Sequence, residues 1–309
     1  MNHKYLDHPF GIEIEFTGID RYMIPLILDY RFLQASDLWL SRSGHLIGKM
    51  TDRDGMVWRI KYDGSIGTQK KAPDGGIIPA DEKYSVELVS PILRYSRDIE
   101  KLQWVIRKLA KAGAFVNESC GIHIHLDGAG HTPQSVKNFC NIVASREDLF
   151  AKALSINNNR LRRYCCDLEG TFMQELNELN PLSLETIEKA WYQDWDCDPT
   201  IHYHPSRYCF LNLHSLFHGH HTLELRCFNS TLHAGVVRAY IAFALGLNGL
   251  ALSTRHTWYR KVETDNPRYT MVHFLQRIGL KGQEFANCRM HLTKHLPGDP
   301  NWRHEQRAA

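Results

Sequence analysis

Three short segments of this 309-residue chain alternate apolar residues with one narrow kind of chemistry. Ile12-Glu13-Ile14-Glu15-Phe16 carries two carboxylates, Ile122-His123-Ile124-His125-Leu126 two imidazoles, and Leu223-Glu224-Leu225-Arg226 an opposed charge pair. A period of two marks a β-strand, whose successive side chains leave on opposite faces. Each segment therefore predicts a strand with an apolar face for a core and a face of Glu, His or Arg. The paired groups stand about 6.5–7 Å apart along such a strand. Val86-Glu87-Leu88 offers a fourth, single carboxylate. Any one of these strands could simply wet its polar face. Exposed antiparallel faces usually mix Thr, Lys, Ser and Gln, however, and three faces of only Glu, His and Arg predict a shared cavity. Carboxylates gathered there would raise one another's pKa values, and a divalent cation would offset that directly.

The rest of the pattern interleaves strands and helices. Residues 10–18 read as a strand, and 46–66 as a hairpin turning at Asp54-Gly55, a strong hairpin signal. A strand over 83–89 ends at Ser90-Pro91, and helical spacing over 96–112 stops at Gly113. Strand character returns over 121–127, followed by a helix entered at Thr132 with Pro133 in its first turn. Short helices are expected near 146–154, 172–179 and 183–193, strands over 208–213 and 222–228, and a long buried helix from Ser230-Thr231 to about residue 253. Helical stretches near 268–278 and 283–296 close the chain. This predicts an α+β fold: a largely antiparallel sheet lining the active site, helices packed on its other face, and one domain over 1–309.

Composition narrows the function. With 37 basic against 34 acidic residues, the net charge of +3 gives no electrostatic case for gripping nucleic acid or an anionic membrane. The longest apolar stretch, 239–252, contains Asn248 and two glycines and reads as a core helix too short to span a bilayer. Residues 1–16 lack a basic start and apolar core, and eight cysteines form no CxxC pair, so the expectation is a cytoplasmic chain with reduced thiols. The adjacent Cys165-Cys166 pair could be a redox or metal site, with buried or incidental thiols the blander account.

Oxygen-rich sites with an occasional imidazole suit Mg²⁺ or Mn²⁺, whereas zinc favours Cys or several His. His123-x-His125 could still serve a zinc or di-metal hydrolase that activates water. The motifs in order are GIEIEF (11–16), DGSI (63–66), ELVSP (87–91), CGIHIHLD (120–127), RYCFLNL (207–213) and TLELRCFNSTL (222–232). Together they resemble the amidoligase family, ATP-dependent carboxylate–amine ligases related to glutamine synthetase and glutamate–cysteine ligase. The resemblance runs from residue 11 to about 250 and implies a glutamine-synthetase-like catalytic domain. It implies Glu13 and Glu15 as metal ligands, with Glu87 at one metal and His123 and Glu224 at the other. His125 would lie against the ATP phosphates and Arg226 would contact the transferring phosphoryl group. Arg207 and Asn212 would sit near nucleotide or substrate, and Asp63 and Ser65 near substrate. The implied cofactors are ATP and Mg²⁺ (or Mn²⁺), and the partners a carboxylate and an amine. A degenerate ligase fold acting only as a binding module is the non-enzymatic alternative.

The arginines 160, 162 and 163, and His202/His204 with Arg207, could bind an acidic ligand or form a solvated face. His218, His220 and His221 around Gly219 read as a loop, and Trp191 to Trp195 as packing or a stacking surface.

Overall fold

The structure is a computed structural model and describes residues 3–168 and 170–303. Met1, Asn2, Glu169 and 304–309, all within the expected 1–309 domain, lie outside the described residues. The fold is α+β with a large antiparallel sheet, as the alternation predicts. Its strands are β1 (Phe10–Phe16), β2 (Leu33–Leu40), β3 (Leu46–Asp52), β4 (Val57–Lys61), β5 (Gln69–Lys71), β6 (Ile77–Pro79), β7 (Val86–Val89), β8 (Gly121–Asp127), β9 (Leu211–Asn212) and β10 (Thr222–Asn229). Eight of them follow the order β2-β3-β4-β7-β1-β8-β10-β9, while β5 and β6 form a separate hairpin. The pairs β2/β3, β3/β4, β4/β7, β1/β7 and β9/β10 are antiparallel.

By contact density the chain divides into two compact units. The first comprises Pro9–Ile124 with Phe228–Arg238, and the second comprises His125–Cys227 with the described parts of Met1–His8 and Ala239–Ala309.

In the first unit, Ile12 and Ile14 of β1 are buried, which is why the alternating strand settles with its isoleucines in a core. The β3–β4 hairpin turns where expected, with Gly55 at φ +79°, a left-handed conformation that favours glycine. Asp52 organises this turn: its carboxylate accepts from the backbone N–H groups of Asp54 and Met56 and from Trp58 Nε1. Lys101, on the helix Tyr95–Lys111, reaches the same carboxylate at 3.0 Å. Trp58 meets Phe32 edge-on, and Phe32 stacks on Trp104 of that helix. The helix stops as predicted at Gly113, at φ +103°. A helix over Ile24–Phe32, the largely exposed strand β2 that follows it and the short β5–β6 hairpin were not expected.

The core of the second unit gathers around Phe150, whose ring lies 5.0 Å from Phe243, 5.4 Å from Phe274 and 6.3 Å from Phe210. Thr132 and Ser135 form a capping box that starts the helix Pro133–Ala144, with Pro133 in the first turn. Ser183 and Thr186 do the same for Leu184–Tyr192. The helix Ala234–Ser253 is long and apolar enough to cross a membrane, yet most of it is buried in the protein. Its glycines permit close packing: a Cβ on Gly249 would lie 2.6 Å from the Tyr5 side chain. The strand expected over 208–213 shortens to Leu211–Asn212, because Pro205–Arg207 forms a 3₁₀ turn and a helix begins at His214.

Candidate active site

The first unit assembles an acidic cluster by strand register. In β1/β7, Glu15 stands opposite Glu87, and in β4/β7, Lys61 stands opposite the same Glu87. Residues directly opposite across antiparallel strands share a face, so Glu15, Glu87 and Lys61 form a row. Lys61 Nζ lies 3.0 Å from Glu87 and 3.8 Å from Glu13. His123, on β8, brings Nδ1 to 3.1 Å from Glu13 and Nε2 to 3.6 Å from Glu15. The Gly121 backbone N–H donates to Glu15 Oε2 at 2.5 Å. Thus Glu13, Glu15 and His123 lie together, with Glu87 opposite Glu15.

The electrostatics follow from the crowding. Burial and the neighbouring Glu13 push the Glu87 carboxyl up to about 7, with Lys61 opposing and Asp63 adding to the rise. Burial would pull the Lys61 ammonium down, but Glu87 and Glu13 outweigh it and hold its pKa above the usual lysine value. Asp63 and Ser65 form a turn beside this cluster. The Asp63 carboxylate accepts from the Ser65 N–H at 2.7 Å, and the Asp63 N–H donates to Ser85 Oγ. Ser65 itself is exposed.

The second unit builds a contrasting set around one buried carboxylate, Glu224 on β10. Arg226 Nη1 lies 2.5 Å from Glu224 Oε1, and Asn212 Nδ2 donates to Oε2 at 2.7 Å, the two residues facing each other in the β9/β10 register. His125 Nε2 lies 4.0 Å from Glu224 Oε1. Arg226 and Arg207 both lie over the Tyr208 ring, at 5.8 and 5.7 Å, cation–π contacts that orient two guanidinium groups. Buried Arg160 donates to the Arg226 carbonyl at 2.9 Å, whereas Arg162 and Arg163 are exposed. Arg226, Asn212, His125 and Arg207 therefore gather in this unit.

Three contributors escaped the sequence reading, and a fourth was read only within a basic run. Lys61 alternates with buried Trp58 and Ile60, and Thr222 sits two residues before Glu224, so the period-two signal was present for both. Tyr208 carries no such signal. Arg160 was noted only as part of a basic run, although it alone of the three arginines is buried. Other candidates are engaged by neighbouring side chains. His204 is buried, with Nε2 3.0 Å from Cys197 Sγ and Nδ1 at Ser206. Trp191 is buried edge-on to Phe172, and His218 pairs with Glu188 at 2.8 Å. Cys165 is buried, with its thiol pushed up to about 12, while Cys166 is exposed and donates to the Arg162 carbonyl. The adjacent pair is thus split between core and surface.

The donor chemistry fits a hard divalent cation. The first unit offers three carboxylates and one imidazole, an oxygen-rich set that shares Lys61. No protein of curated function matches the chain. A sequence model of the family described as "Putative amidoligase enzyme" matches residues 7–248, and the chain belongs to that amidoligase family.

Proposed function

We propose that this chain is an ATP- and Mg²⁺-dependent carboxylate–amine ligase, forming an amide through an acyl phosphate, with the whole chain acting as one catalytic domain. The observation that carries the reading is the register that lines up Glu15 and Glu87 beside Glu13 and His123. Two carboxylates directly opposite one another repel. A fold that keeps such a pair beside a third carboxylate has a use for bound cations. Glu13, Glu15, Glu87 and His123 would hold Mg²⁺ or Mn²⁺, and Glu224 would offer a further metal ligand in the second unit. Bound MgATP would supply the phosphoryl group that converts an unreactive carboxylate into one an amine can attack.

The chain's own residues then have distinct tasks. Arg226 is held by Glu224, by the Tyr208 ring and through its carbonyl by Arg160, so its guanidinium meets developing phosphoryl charge without reorganising. His125 presents its ring to the phosphates. Arg207 and Asn212 orient nucleotide or substrate, and Asp63 and Ser65 border the substrate. The substrates would be a carboxylate and an amine, small molecules or peptides, with no part for membrane or nucleic acid, in the cytoplasm.

Calorimetry with ATP, with and without excess Mg²⁺, tests the reading. Binding that needs Mg²⁺ and weakens in Glu13→Gln is the expected result. No ATP binding under either condition, with zinc found by elemental analysis, would overturn it in favour of hydrolysis.

A further inference from the structure

The turn that follows the helix Leu184–Tyr192 builds a small cavity within the second unit, and the ligase chemistry proposed above makes no use of it. Trp191 stands in the last turn of that helix. The Trp195 N–H donates to the Tyr192 carbonyl at 3.1 Å, which curls the chain so that both tryptophans line the same space. Phe172, on the helix Gly170–Glu178, meets Trp191 at 5.0 Å with the rings at 88°, so the two make walls at a right angle. The Thr171 hydroxyl donates to the Asp194 carboxylate at 2.9 Å and ties it to the rim beside Phe172. Phe172, Trp191 and Ser206 are buried, Trp195 is half-buried and Asp194 is exposed.

The lining selects its ligand by chemistry and by size. Trp191 Nε1 donates to Ser206 Oγ at 3.0 Å, so the one polar hydrogen of that ring is spent and the rest of it is carbon and π surface. Trp195 is braced edge-on against His204 at 5.6 Å. No lysine, arginine or histidine is among the described residues that line the cavity, and Asp194 alone there carries a formal charge. An anion would therefore meet a carboxylate and the negative faces of aromatic rings. A cation would find both attractive. The free volume is about 20 Å³, against the roughly 10–15 Å³ that one bound water needs. Ala190 leaves that room by contributing only a methyl group. A nucleotide is far too large, whereas the ammonium end of an alkylamine fits.

We propose that Phe172, Trp191, Trp195 and Asp194 form a binding site for a primary alkylammonium group, with the rings facing the cation and Asp194 accepting from its N–H groups. A nitrogen held here keeps all its protons and has no lone pair to attack with. The site therefore anchors a cation and does not present a nucleophile. It stands independently of the ligase reading, because its geometry involves none of the residues assigned to metal, nucleotide or phosphoryl group.

The test is proton–nitrogen NMR of the indole groups in the full-length protein without nucleotide, titrated with n-butylammonium chloride against sodium chloride of equal ionic strength. The Trp191 and Trp195 signals are identified by their loss in Trp191→Phe and Trp195→Phe. Both should shift saturably with n-butylammonium, but not with 1-butanol, the neutral molecule of similar shape. Tetramethylammonium, whose head is too large for the cavity, should bind more weakly. Asp194→Asn, an exposed change of the same shape, should lower n-butylammonium affinity about three- to fivefold, as loss of one exposed charge pair allows. Trp195→Leu should lower it about three- to tenfold, and Trp195→Phe, which keeps a π face, should lower it less. Unmoved Trp191 and Trp195 signals, equal shifts with 1-butanol, or an unchanged affinity in Asp194→Asn would overturn the inference whether or not MgATP binds. The expected shifts in a protein that does not bind MgATP would uphold the cation site and sink the ligase reading instead.

Discussion

The acidic cluster of the first unit and the Glu224 set of the second use the same strand alternation to opposite electrostatic ends. In the first, Glu13, Glu15 and Glu87 share Lys61 and His123, and Glu87 rises to about 7 under burial and the charge of Glu13. In the second, one carboxylate meets Arg226 and Asn212, with His125 4.0 Å away and Arg207 beside the same tyrosine ring as Arg226. One set offers acceptors and suits cations. The other offers donors and suits anions. The ligase proposed above would call for both kinds of surface.

The largest expected effect falls on the donor set. Arg226→Ala should lower ATP-dependent ADP release by about 10²–10³-fold, the range seen when one preorganised donor to transition-state charge is removed. Its MgATP affinity should change far less, and equal loss in binding and turnover would assign Arg226 to ground-state binding. Glu13→Gln attacks the other set. It should cut Mg²⁺-dependent ATP affinity at least about tenfold, since one charged ligand contact is worth roughly 1.5–3 kcal/mol. If Glu13→Gln instead spared Mg²⁺ dependence and Arg226→Ala abolished it, the division between cation and anion surfaces would be reversed.

Much of this was legible because a period of two leaves little freedom. Once Ile12 and Ile14 enter a core, Glu13 must leave on the other face, and the same holds for His123 and His125 around Ile122, Ile124 and Leu126. The hairpin at Gly55, the helix entry at Thr132-Pro133 and the stop at Gly113 were likewise local signals. What stayed hidden depends on pairing between distant strands. Nothing local says that Lys61 will stand opposite Glu87, because that register is set by the β4/β7 pairing across 26 residues of sequence. The helix Ile24–Phe32 and exposed β2 have no clean periodicity, and β9 is only two residues long. The segment around His204 showed its histidines but not that Cys197 and Ser206 would enclose one of them.

Glu147 provides a control for reading raised carboxylates as sites. Buried at the first turn of Glu147–Ala153, it is pushed up to about 8 chiefly by burial, although it accepts from the Leu168 N–H at 2.8 Å and faces Lys261 at 3.5 Å. It binds a proton more tightly in the folded than in the unfolded chain. Folding stability therefore falls as pH rises from the ordinary carboxylate range toward 8, by about 1.4 kcal/mol per unit at most. Glu147→Gln keeps an acceptor for Leu168 and removes the titration. Urea unfolding from pH 5.5 to 7.5 should show the variant gaining roughly 3 kcal/mol on wild type across that window, with MgATP affinity unchanged. Parallel stability curves would mean that Glu147 is not protonated in the fold, and burial alone would then be a poor account of carboxylates raised this way.

Lys61 gives the finest division between the two sets, because it is the protein's own cation inside the acidic cluster. With its ammonium 3.0 Å from Glu87 and 3.8 Å from Glu13, it competes with a divalent ion for the same oxygens. Lys61→Met keeps much of the aliphatic stem and removes the charge. Two effects then oppose each other: the cluster loses a neutralising charge and Glu87 takes up protons more readily, while the carboxylates lose a competitor. Above pH 8, where Glu87 is ionised in the wild type, the second effect should dominate, and Mn²⁺ affinity read by electron paramagnetic resonance should rise by about three- to fivefold, as one partly exposed ion pair allows. Toward pH 6 the gain should shrink, because protons replace the lost ammonium. Weaker Mn²⁺ binding at every pH would instead make Lys61 a support that holds Glu87 in place, and the acidic set would owe its geometry to an internal ion pair.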